Sequence, residues 1–345
     1  YETWGADMAA HMHGMFAFAL WDEEEQKLFC LRDQFGTKPF YYYETEEGGL
    51  LYGTMIRDIL DQPGFQKELN EDMLQIYLSL TYVAGEDTFF KGLKKLLPGH
   101  YLTWKGGELE IVRYWTPEFH PDESKTLEEW ADELHTTLLK IMPEVKTSEE
   151  EAASFLSGGV DSSYVLAVSD IQKTGSCGYE EERFDESGLA AETARILNRE
   201  NTRCLIHPEE FFEVVPYVMY HMEQPLGDAS AIVFTLGCRA VAESVKICYS
   251  GEGSDEFFGG YNMYRNAERY GDNLKNFYVG NTNIMKEDEK KRILKNYKED
   301  VLPINLVKGI YEEIEGYDPL TKMSDIDIQI WLEGDIYLNV DKMNT

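Results

Sequence analysis

One short segment of the sequence has the residue types of an anion-binding turn. Residues 157–163 are Ser-Gly-Gly-Val-Asp-Ser-Ser and lie between two apolar stretches, 153–156 and 164–167. We expect the first stretch to be a buried strand and the second to begin a helix. The glycines let the backbone approach a ligand closely, and free amides at the helix N-terminus would point at phosphate oxygens. The segment therefore predicts a pyrophosphate-binding turn.

Polar side chains in the same turn have the chemistry expected around a pyrophosphate. Ser162 and Ser163 can cap the helix or donate hydrogen bonds to phosphate oxygens, and Asp161 is placed to bind a Mg²⁺ ion that neutralises the leaving group. A Walker-type loop would carry Gly-Lys-Ser/Thr, and no lysine occurs here. The pattern instead resembles the PP-loop of enzymes that cleave ATP between its α and β phosphates, which implies ATP and Mg²⁺ as cofactors. Taken alone, the segment could also be a structural glycine turn.

A second glycine-flanked turn, residues 250–260, follows another apolar run. Ligands of an open parallel sheet bind beyond the carboxyl ends of its strands, so we expect both turns to face one nucleotide. Glu252 stands between two glycines, where a substrate can approach it, and is the candidate catalytic proton acceptor. Asp255 is expected on the face of a short helix that points at the phosphates, where it would share the metal ion with Asp161. The alternative is a solvated acidic helix start.

Together, the two motifs resemble the synthetase domain of glutamine-dependent asparagine synthetase. Residues 178–187 are similar to the family's strand and turn after the PP-loop helix, where Cys177 falls at the position of an adenine contact. Residues 223–232 and 334–343 are similar to later family segments, although Asn339 replaces a basic residue often seen there, and we assign it no role. The nucleotide-binding residues expected from the motifs and the resemblance are Leu156, Ser157, Gly158, Gly159, Asp161, Ser162, Ser163, Cys177, Ser250 and Gly251.

The first third of the chain has a different pattern. Residues 14–22 alternate small and aromatic side chains, as a strand with two buried faces would, and residues 27–33 are expected to be its hairpin partner. Together with residues 97–101 and 113–115, this stretch resembles the rear half of a class II glutamine amidotransferase domain.

These resemblances divide the chain into two domains. Residues 1–118 are expected to form a partial Ntn-type α+β amidotransferase domain. Residues 119–345 are expected to form an α/β domain of the PP-loop (HUP-like) type, whose parallel sheet carries helices on both faces. The polar run 117–125 is the predicted linker, and residues 126–139 have the leucine and tryptophan spacing of a helix.

The resemblance also implies a longer protein. The family's amidotransferase nucleophile is a cysteine at the mature amino terminus, whose α-amine serves as the base. This chain begins at Tyr1, and its cysteines, at positions 30, 177, 204, 238 and 248, are all internal. The family's later Arg/Pro-containing segment and its α-phosphate lysine would follow Thr345. We therefore expect this sequence to lack the amidotransferase N-terminus and the synthetase C-terminus.

Composition argues against several classes of function. The formal net charge of −32, from 32 basic and 64 acidic residues, disfavours nucleic acid as a partner. No apolar run reaches the roughly 18 residues of a membrane span, so no membrane association is expected. The cysteines lack CxxC spacing and a histidine cluster, so neither disulfides nor structural zinc is expected. A reducing cytoplasm fits this composition best.

The resemblance implies ATP-dependent amidation of aspartate to asparagine. The aspartate side chain would form a β-aspartyl-AMP intermediate, and ammonia from glutamine would attack it while Glu252 accepts a proton. Aspartate and either glutamine or ammonia are the expected partners, and a homodimer is left open. Two alternatives remain: a sibling adenylating ligase of the β-lactam synthetase type, and a noncatalytic nucleotide-binding relative. The intact turn at 251–260 counts against the sibling, and the carboxylates of Asp161, Glu252 and Asp255 count against the noncatalytic relative.

Overall fold

The computed structural model describes residues 1–145, 151–181 and 183–344. Its strands form two antiparallel sheets in the first third of the chain and one parallel sheet further on. In chain order the strands are β1 Ala17–Asp22, β2 Lys27–Arg32, β3 Tyr41–Glu44, β4 Leu50–Gly53, β5 Lys94–Lys95, β6 His100–Lys105, β7 Glu108–Arg113, β8 Ala152–Phe155, β9 Lys173–Tyr179, β10 Glu200–Ile206 and β11 Ile247–Tyr249.

Helices dominate the remainder of the chain. The α-helices are α1 Ile56–Leu60, α2 Glu71–Leu80, α3 Leu127–Val145, α4 Val160–Ala167, α5 Ser187–Ile196, α6 Pro208–Met222, α7 Ser230–Ala242, α8 Ser254–Phe258, α9 Ala267–Tyr270, α10 Glu287–Ile293, α11 Ile304–Glu313, α12 Pro319–Ile326 and α13 Tyr337–Asn344. Short 3₁₀ helices lie at Gly5–His11, Asn262–Asn266 and Gly271–Asn276, and a π-helix lies at Asp327–Ile336. None of the helices in the described ranges is both long and apolar enough to cross a bilayer.

The antiparallel part contains the predicted hairpin of β1 and β2, in which Trp21 lies opposite Leu28. The sheet order is β1-β2-β6-β7, so β1 is an edge strand. The prediction of two buried faces for residues 14–22 is wrong, because this edge position leaves Trp21 46% exposed. The enclosed strand is β2, where Cys30 and Leu31 are fully buried.

The second sheet confirms the predicted parallel α/β architecture. Its order is β10-β9-β8-β11, and each neighbouring pair is parallel. Successive residues of a strand point to opposite faces of the sheet. Ala153 packs with Val241 of α7, whereas Leu156 packs with Leu166 of α4 and Ala190 of α5. Helices therefore cover both faces of the parallel sheet.

The largest hydrophobic core joins distant parts of the chain. Met73 and Leu80 of α2 belong to the same buried cluster as Val307 of α11, Ile326 of α12 and Trp331 of the π-helix. A segment from the first third thus packs among the C-terminal helices. The boundary at residue 118 stays a prediction, and the two parts of the chain share buried contacts across it.

The helix predicted for residues 126–139 is present as α3 and extends to Val145. Its N-terminus is capped reciprocally, because the Thr126 amide donates to Glu129 Oε2 at 2.8 Å and the Glu129 amide donates to Thr126 Oγ1 at 3.3 Å. Its apolar side chains are not buried, and Leu127 is 81% exposed. The helical spacing predicted the element but not its burial.

A buried carboxylate ties the antiparallel part to the end of α13. Glu223 follows α6 in a left-handed conformation, with φ of 61°. Its carboxylate accepts hydrogen bonds from the amides of Ile56 and Arg57 at 3.1 and 2.9 Å, and from Lys342 Nζ at 2.7 Å. These three donors satisfy the carboxylate and hold the first turn of α1 in place.

Candidate functional site

Residues 157–163, the glycine turn, connect β8 to α4 as predicted. Gly158 has φ of 84°, and a Cβ there would lie 2.7 Å from Leu189 Cβ and 2.8 Å from the Ala190 amide nitrogen. Only glycine combines this positive φ with the absence of a Cβ that would clash with Leu189 and Ala190. Gly159 is the N-cap residue of α4 and supplies no side-chain cap, so amides of the first helical turn remain available to an anion.

The hydroxyl groups of the glycine turn divide into two sets. The Ser157 amide donates to Ser162 Oγ at 3.2 Å, the Gly159 amide donates to Ser157 Oγ at 3.2 Å, and the two hydroxyls lie 3.0 Å apart. Ser162 therefore shapes the turn itself. Ser163 differs, because its Oγ is buried and has no hydrogen-bond partner among the residues that the structure describes. A buried hydroxyl without a partner is unfavourable, so a ligand oxygen there would be stabilising.

Residues 250–260, the acidic turn, lie directly against the glycine turn. The strands before the two turns are neighbours, with Tyr249 of β11 opposite Ser154 of β8. Ser250 follows β11, and a Cβ placed on Gly251 would lie 3.1 Å from the Ser162 amide nitrogen. The two turns are therefore brought together at the carboxyl edge of the sheet, as the sequence predicted.

This contact also places two carboxylates close together. Asp161 lies in the first turn of α4, and Asp255 lies in the first turn of α8. Desolvation raises the pKa of Asp255, and the negative charge of Asp161 raises it further. A carboxylate whose ionisation is disfavoured by a neighbouring carboxylate is a suitable place for a cation.

Glu252 faces open space but lies among acidic neighbours. Its side chain is accessible, yet protein atoms surround it on the other sides and reduce its hydration. Desolvation raises the pKa of Glu252, and the carboxylates of Glu256, Asp255, Asp228 and Asp161 raise it further in that order. A carboxylate with a raised pKa is a better proton acceptor near neutral pH than an ordinary glutamate.

The open space is a cavity of about 430 Å³, here called the strand-end cavity. Of the predicted residues, Leu156, Ser157, Cys177 and Glu252 line it, while the remainder of both turns lies beside it. Its walls are largely apolar and include four phenylalanines, and no lysine, arginine or histidine lines it within the described ranges. Its size and mixed lining are typical of a site for a small organic ligand.

Three polar residues near the cavity were not assigned a role from the sequence. Asn339 lines the cavity, and its Nδ2 donates to Asp335 Oδ1 at 3.0 Å and to Asp228 Oδ2 at 3.4 Å. Desolvation, followed by the charge of Asp228, raises the pKa of Asp335 to about 7. The signal that could have found Asp228 is its position before α7, where its Oδ1 accepts the Ser230 amide at 2.9 Å.

The donor set at the two turns fits Mg²⁺ bound together with a nucleotide. Within the ranges that the structure describes, no cluster of three or more His, Cys, Asp or Glu side chains could hold a metal. Mg²⁺ on a nucleotide needs only one or two protein carboxylates, because phosphate oxygens and water supply its other ligands. Asp161 and Asp255 meet that requirement, and the tight backbone at Gly158 meets the requirement of a close-lying phosphate.

Fold and site geometry together define the class of this protein. It is an α/β protein with a cavity at the carboxyl ends of parallel strands, joined to an antiparallel part. A sequence profile of asparagine synthase matches residues 133–345, and a profile of the glutamine amidotransferase domain matches residues 1–115. Because the first profile matches more than half of the sequence, the chain belongs to the asparagine synthase family.

Curated relatives agree with this assignment. The glutamine-hydrolyzing asparagine synthetase 1 of Bacillus subtilis is 31% identical over 99% of this chain and 60% of its own length. A putative asparagine synthetase of Mycobacterium tuberculosis is 27% identical over 99% of this chain and 59% of its own length. Amidase chyE of Penicillium rubens is 31% identical over 77% of this chain and 42% of its own length. The chain thus spans about 60% of the length of the first two relatives.

A solved structure of NMN synthetase from Francisella tularensis covers 63% of this chain and 93% of its own, with a TM-score of 0.29 and 13% sequence identity. That likeness is too weak to bear on the fold or the function.

Proposed function

We propose that the protein of which this sequence is part is a carbon–nitrogen ligase that converts aspartate to asparagine. It would use ATP, form a β-aspartyl-AMP intermediate and release pyrophosphate, with ammonia taken from glutamine. The observation that carries the proposal is the contact between the glycine turn and the acidic turn, which surrounds one ligand position with phosphate-binding amides and three carboxylates. The matches to asparagine synthase and to the glutamine amidotransferase domain support it.

The glycine turn serves the first step. Backbone amides at the start of α4, together with the unpartnered hydroxyl of Ser163, bind the β and γ phosphates and stabilise them as they leave. Asp161 and Asp255 would hold Mg²⁺, which supplies charge neutralisation for the departing pyrophosphate. The apolar wall around Cys177 accepts the adenine ring, which leaves the α-phosphorus open to the carboxylate of the acceptor amino acid.

Glu252 serves the second step. Ammonia that attacks the acyl carbon must lose a proton before AMP departs, and Glu252 is the acidic side chain that lines the cavity from the acidic turn. Its raised pKa suits a group that must accept a proton near neutral pH. A protein that only bound a nucleotide would need the phosphate-binding turn but not this base.

Relatives with other names bear on the identity of the acceptor molecule. Amidase chyE matches 77% of this chain at the same 31% identity as the Bacillus protein, so members of the family with different names share this architecture. A ligase of the β-lactam synthetase type would close an internal amide and would need neither aspartate nor ammonia. The acceptor must therefore be tested directly.

The test is pyrophosphate release by the full-length gene product with ATP, Mg²⁺, ammonium chloride and a panel of carboxylic acids. We expect aspartate to drive release and asparagine to form in equal amount. Glutamate and succinate serve as controls, since each differs from aspartate in chain length or in the α-amine. Release driven by another acid, or without a requirement for nitrogen, would contradict the assignment to asparagine synthesis.

A further inference from the structure

The π-helix Asp327–Ile336 carries a buried glutamate that binds the antiparallel part of the chain. Glu333 is 4% exposed, and its two carboxylate oxygens have different partners. Its Oε1 accepts from Arg32 Nη1 at 3.0 Å, and its Oε2 accepts from Lys95 Nζ at 2.9 Å. Arg32 ends β2 and Lys95 ends β5, so one carboxylate joins both antiparallel sheets to the π-helix.

Both cations are themselves fixed by backbone carbonyl groups. Arg32 donates to the carbonyl oxygens of Lys38 and Leu96 at 2.7 Å and of Gly36 at 2.8 Å, and Lys95 donates to the carbonyl oxygen of Val83 at 2.9 Å. Either side chain would have to break these hydrogen bonds to follow Glu333 if the π-helix moved. The cations are therefore a rigid anchor for this helix.

The residues just after Glu333 contact the strand-end cavity and the acidic turn. Ile336 and Asn339 line the strand-end cavity. The hydroxyl of Tyr337 lies 2.9 Å from where a Cβ on Gly253 would be, so Tyr337 packs against the acidic turn next to Glu252. About one turn of helix thus separates Glu333 from Tyr337, which packs against the acidic turn.

Joining two surfaces through buried ions is unfavourable in desolvation free energy. Burying charges costs several kcal/mol per ion, and well-packed apolar residues often replace a buried ion pair without loss of stability. Two cations share one carboxylate here, so the group is not neutral. What the ion group adds beyond an apolar contact is a fixed direction, because each oxygen of Glu333 has one donor at one place.

We infer that Glu333 is a positioning residue for the amidation step: held by Arg32 and Lys95, it fixes the π-helix so that Tyr337 and Asn339 keep the acidic turn and the cavity wall in register. This inference rests on the proposed function. Replacing Glu333 should change turnover but not nucleotide binding, because the glycine turn and Cys177 lie on other elements.

The test compares Glu333→Gln with Glu313→Gln in the full-length gene product. Glu313 also bridges the antiparallel part and the C-terminal helices, through Arg113 at 2.8 Å, but its ion pair is partly exposed, whereas that of Glu333 is buried. Glu333→Gln should lower kcat for aspartate-dependent pyrophosphate release by roughly 10- to 100-fold, since a displacement of about 1 Å in a catalytic group can cost about 100-fold. The KM for ATP should stay unchanged. Glu313→Gln should match the wild type in both.

Hydrogen exchange provides a measurement that needs no substrate. Amides of residues 250–258 should exchange faster in Glu333→Gln than in Glu313→Gln, while those of residues 157–163 should not change. Unchanged kcat and unchanged exchange would overturn the inference. A uniform increase in exchange together with a raised KM for ATP would also overturn it, because it would mean general loosening of the fold.

A second variant and the exchange measurement cover two ways in which the kinetic comparison could fail. If Glu333→Gln does not fold, Lys95→Gln replaces it, because it retains the Arg32–Glu333 pair and should show the same pattern with a smaller effect. If the wild-type protein releases no pyrophosphate with aspartate, the proposed function fails by itself. The exchange comparison then still decides whether Glu333 holds the acidic turn.

Discussion

Carboxylates are treated in opposite ways in two neighbouring regions of this protein. Where the antiparallel part meets the C-terminal helices, buried Glu333 and Glu223 each bind a cation of the chain at 3.0 Å or less. At the strand-end cavity, Glu252 and Asp255 have other carboxylates as their charged neighbours. Among the described residues lining that cavity, none is basic.

This difference distinguishes carboxylates that stabilise the structure from carboxylates that can take part in chemistry. A carboxylate neutralised by a lysine or arginine of the same folded chain needs no ligand to supply its counter-ion. Carboxylates that face one another are destabilising until something positive arrives from outside. The acidic turn is therefore suited to bind a cation and to transfer a proton. The ion pairs between the two parts of the chain instead stabilise the fold.

Replacing Glu252 with Gln should have the largest effect. The variant keeps the shape of the side chain but cannot accept a proton, so kcat for asparagine formation should fall by roughly 10²- to 10⁴-fold. ATP affinity should change little. Steady-state kinetics with the full-length gene product measure the first quantity, and calorimetric titration with ATP and Mg²⁺ measures the second. Normal turnover in this variant would exclude Glu252 as the proton acceptor.

Removing a neutralised carboxylate should affect stability instead. Glu223→Gln leaves Lys342 buried without a counter-ion, which should reduce the free energy of unfolding by about 3 kcal/mol. The matched control is Glu68→Gln, whose ion pair with Lys91 is exposed and should contribute less than about 1 kcal/mol. Urea unfolding of both variants measures the difference. Equal losses would show that burial does not distinguish these two pairs.

Asp327 represents a third situation, a buried carboxyl with neutral partners. It accepts from the hydroxyls of Tyr264 and Tyr278 at 2.5 and 2.6 Å, and desolvation raises its pKa to about 7 from an ordinary value of 3.8. The folded protein therefore keeps a proton that the unfolded chain loses. Its contribution to stability is complete below pH 4 and is lost as the pH rises through 7.

The corresponding test is Asp327→Asn, which retains an acceptor for the tyrosines but cannot ionise. Between pH 5 and 7 the wild type should lose up to about 1.4 kcal/mol per pH unit relative to this variant. Thermal unfolding at several pH values follows that difference. If both proteins show the same pH dependence, Asp327 does not titrate in this interval.

Asp161→Asn should have the smallest effect of the series. One of two carboxylates near the proposed ion would be lost, so Mg²⁺-dependent binding of pyrophosphate should weaken roughly tenfold, within the range seen for perturbed metal ligation. Binding without Mg²⁺ should change little or become tighter, because a negative charge has been removed. Equal weakening with and without the ion would show that Asp161 does not act through a cation.

The elements of the site could largely be predicted from the sequence, because each motif is local. The glycine turn and the acidic turn each follow an apolar strand, and the rule for open parallel sheets placed them at one edge. The residues that hold them could not be predicted. Arg32 meets Glu333 from 301 positions away, and no local pattern encodes such a partner.

Exposure was the other quantity that local patterns did not predict. The alternation in residues 14–22 is compatible with either a central or an edge strand, and the sheet order made β1 an edge. The apolar spacing of α3 likewise predicts a helix without saying what covers it. Both depend on neighbours that are distant in sequence. The division of the chain at residue 118 and the roles of the individual site residues stay predictions.

The close approach of Gly251 to the Ser162 amide has a kinetic consequence. Because the glycine turn and the acidic turn are already in contact before a nucleotide arrives, bringing them together on binding costs little conformational entropy. Capture of a nucleotide should then occur in a single phase whose rate rises linearly with concentration. Slower steps of the cycle must arise elsewhere, in the delivery of nitrogen or in the departure of products.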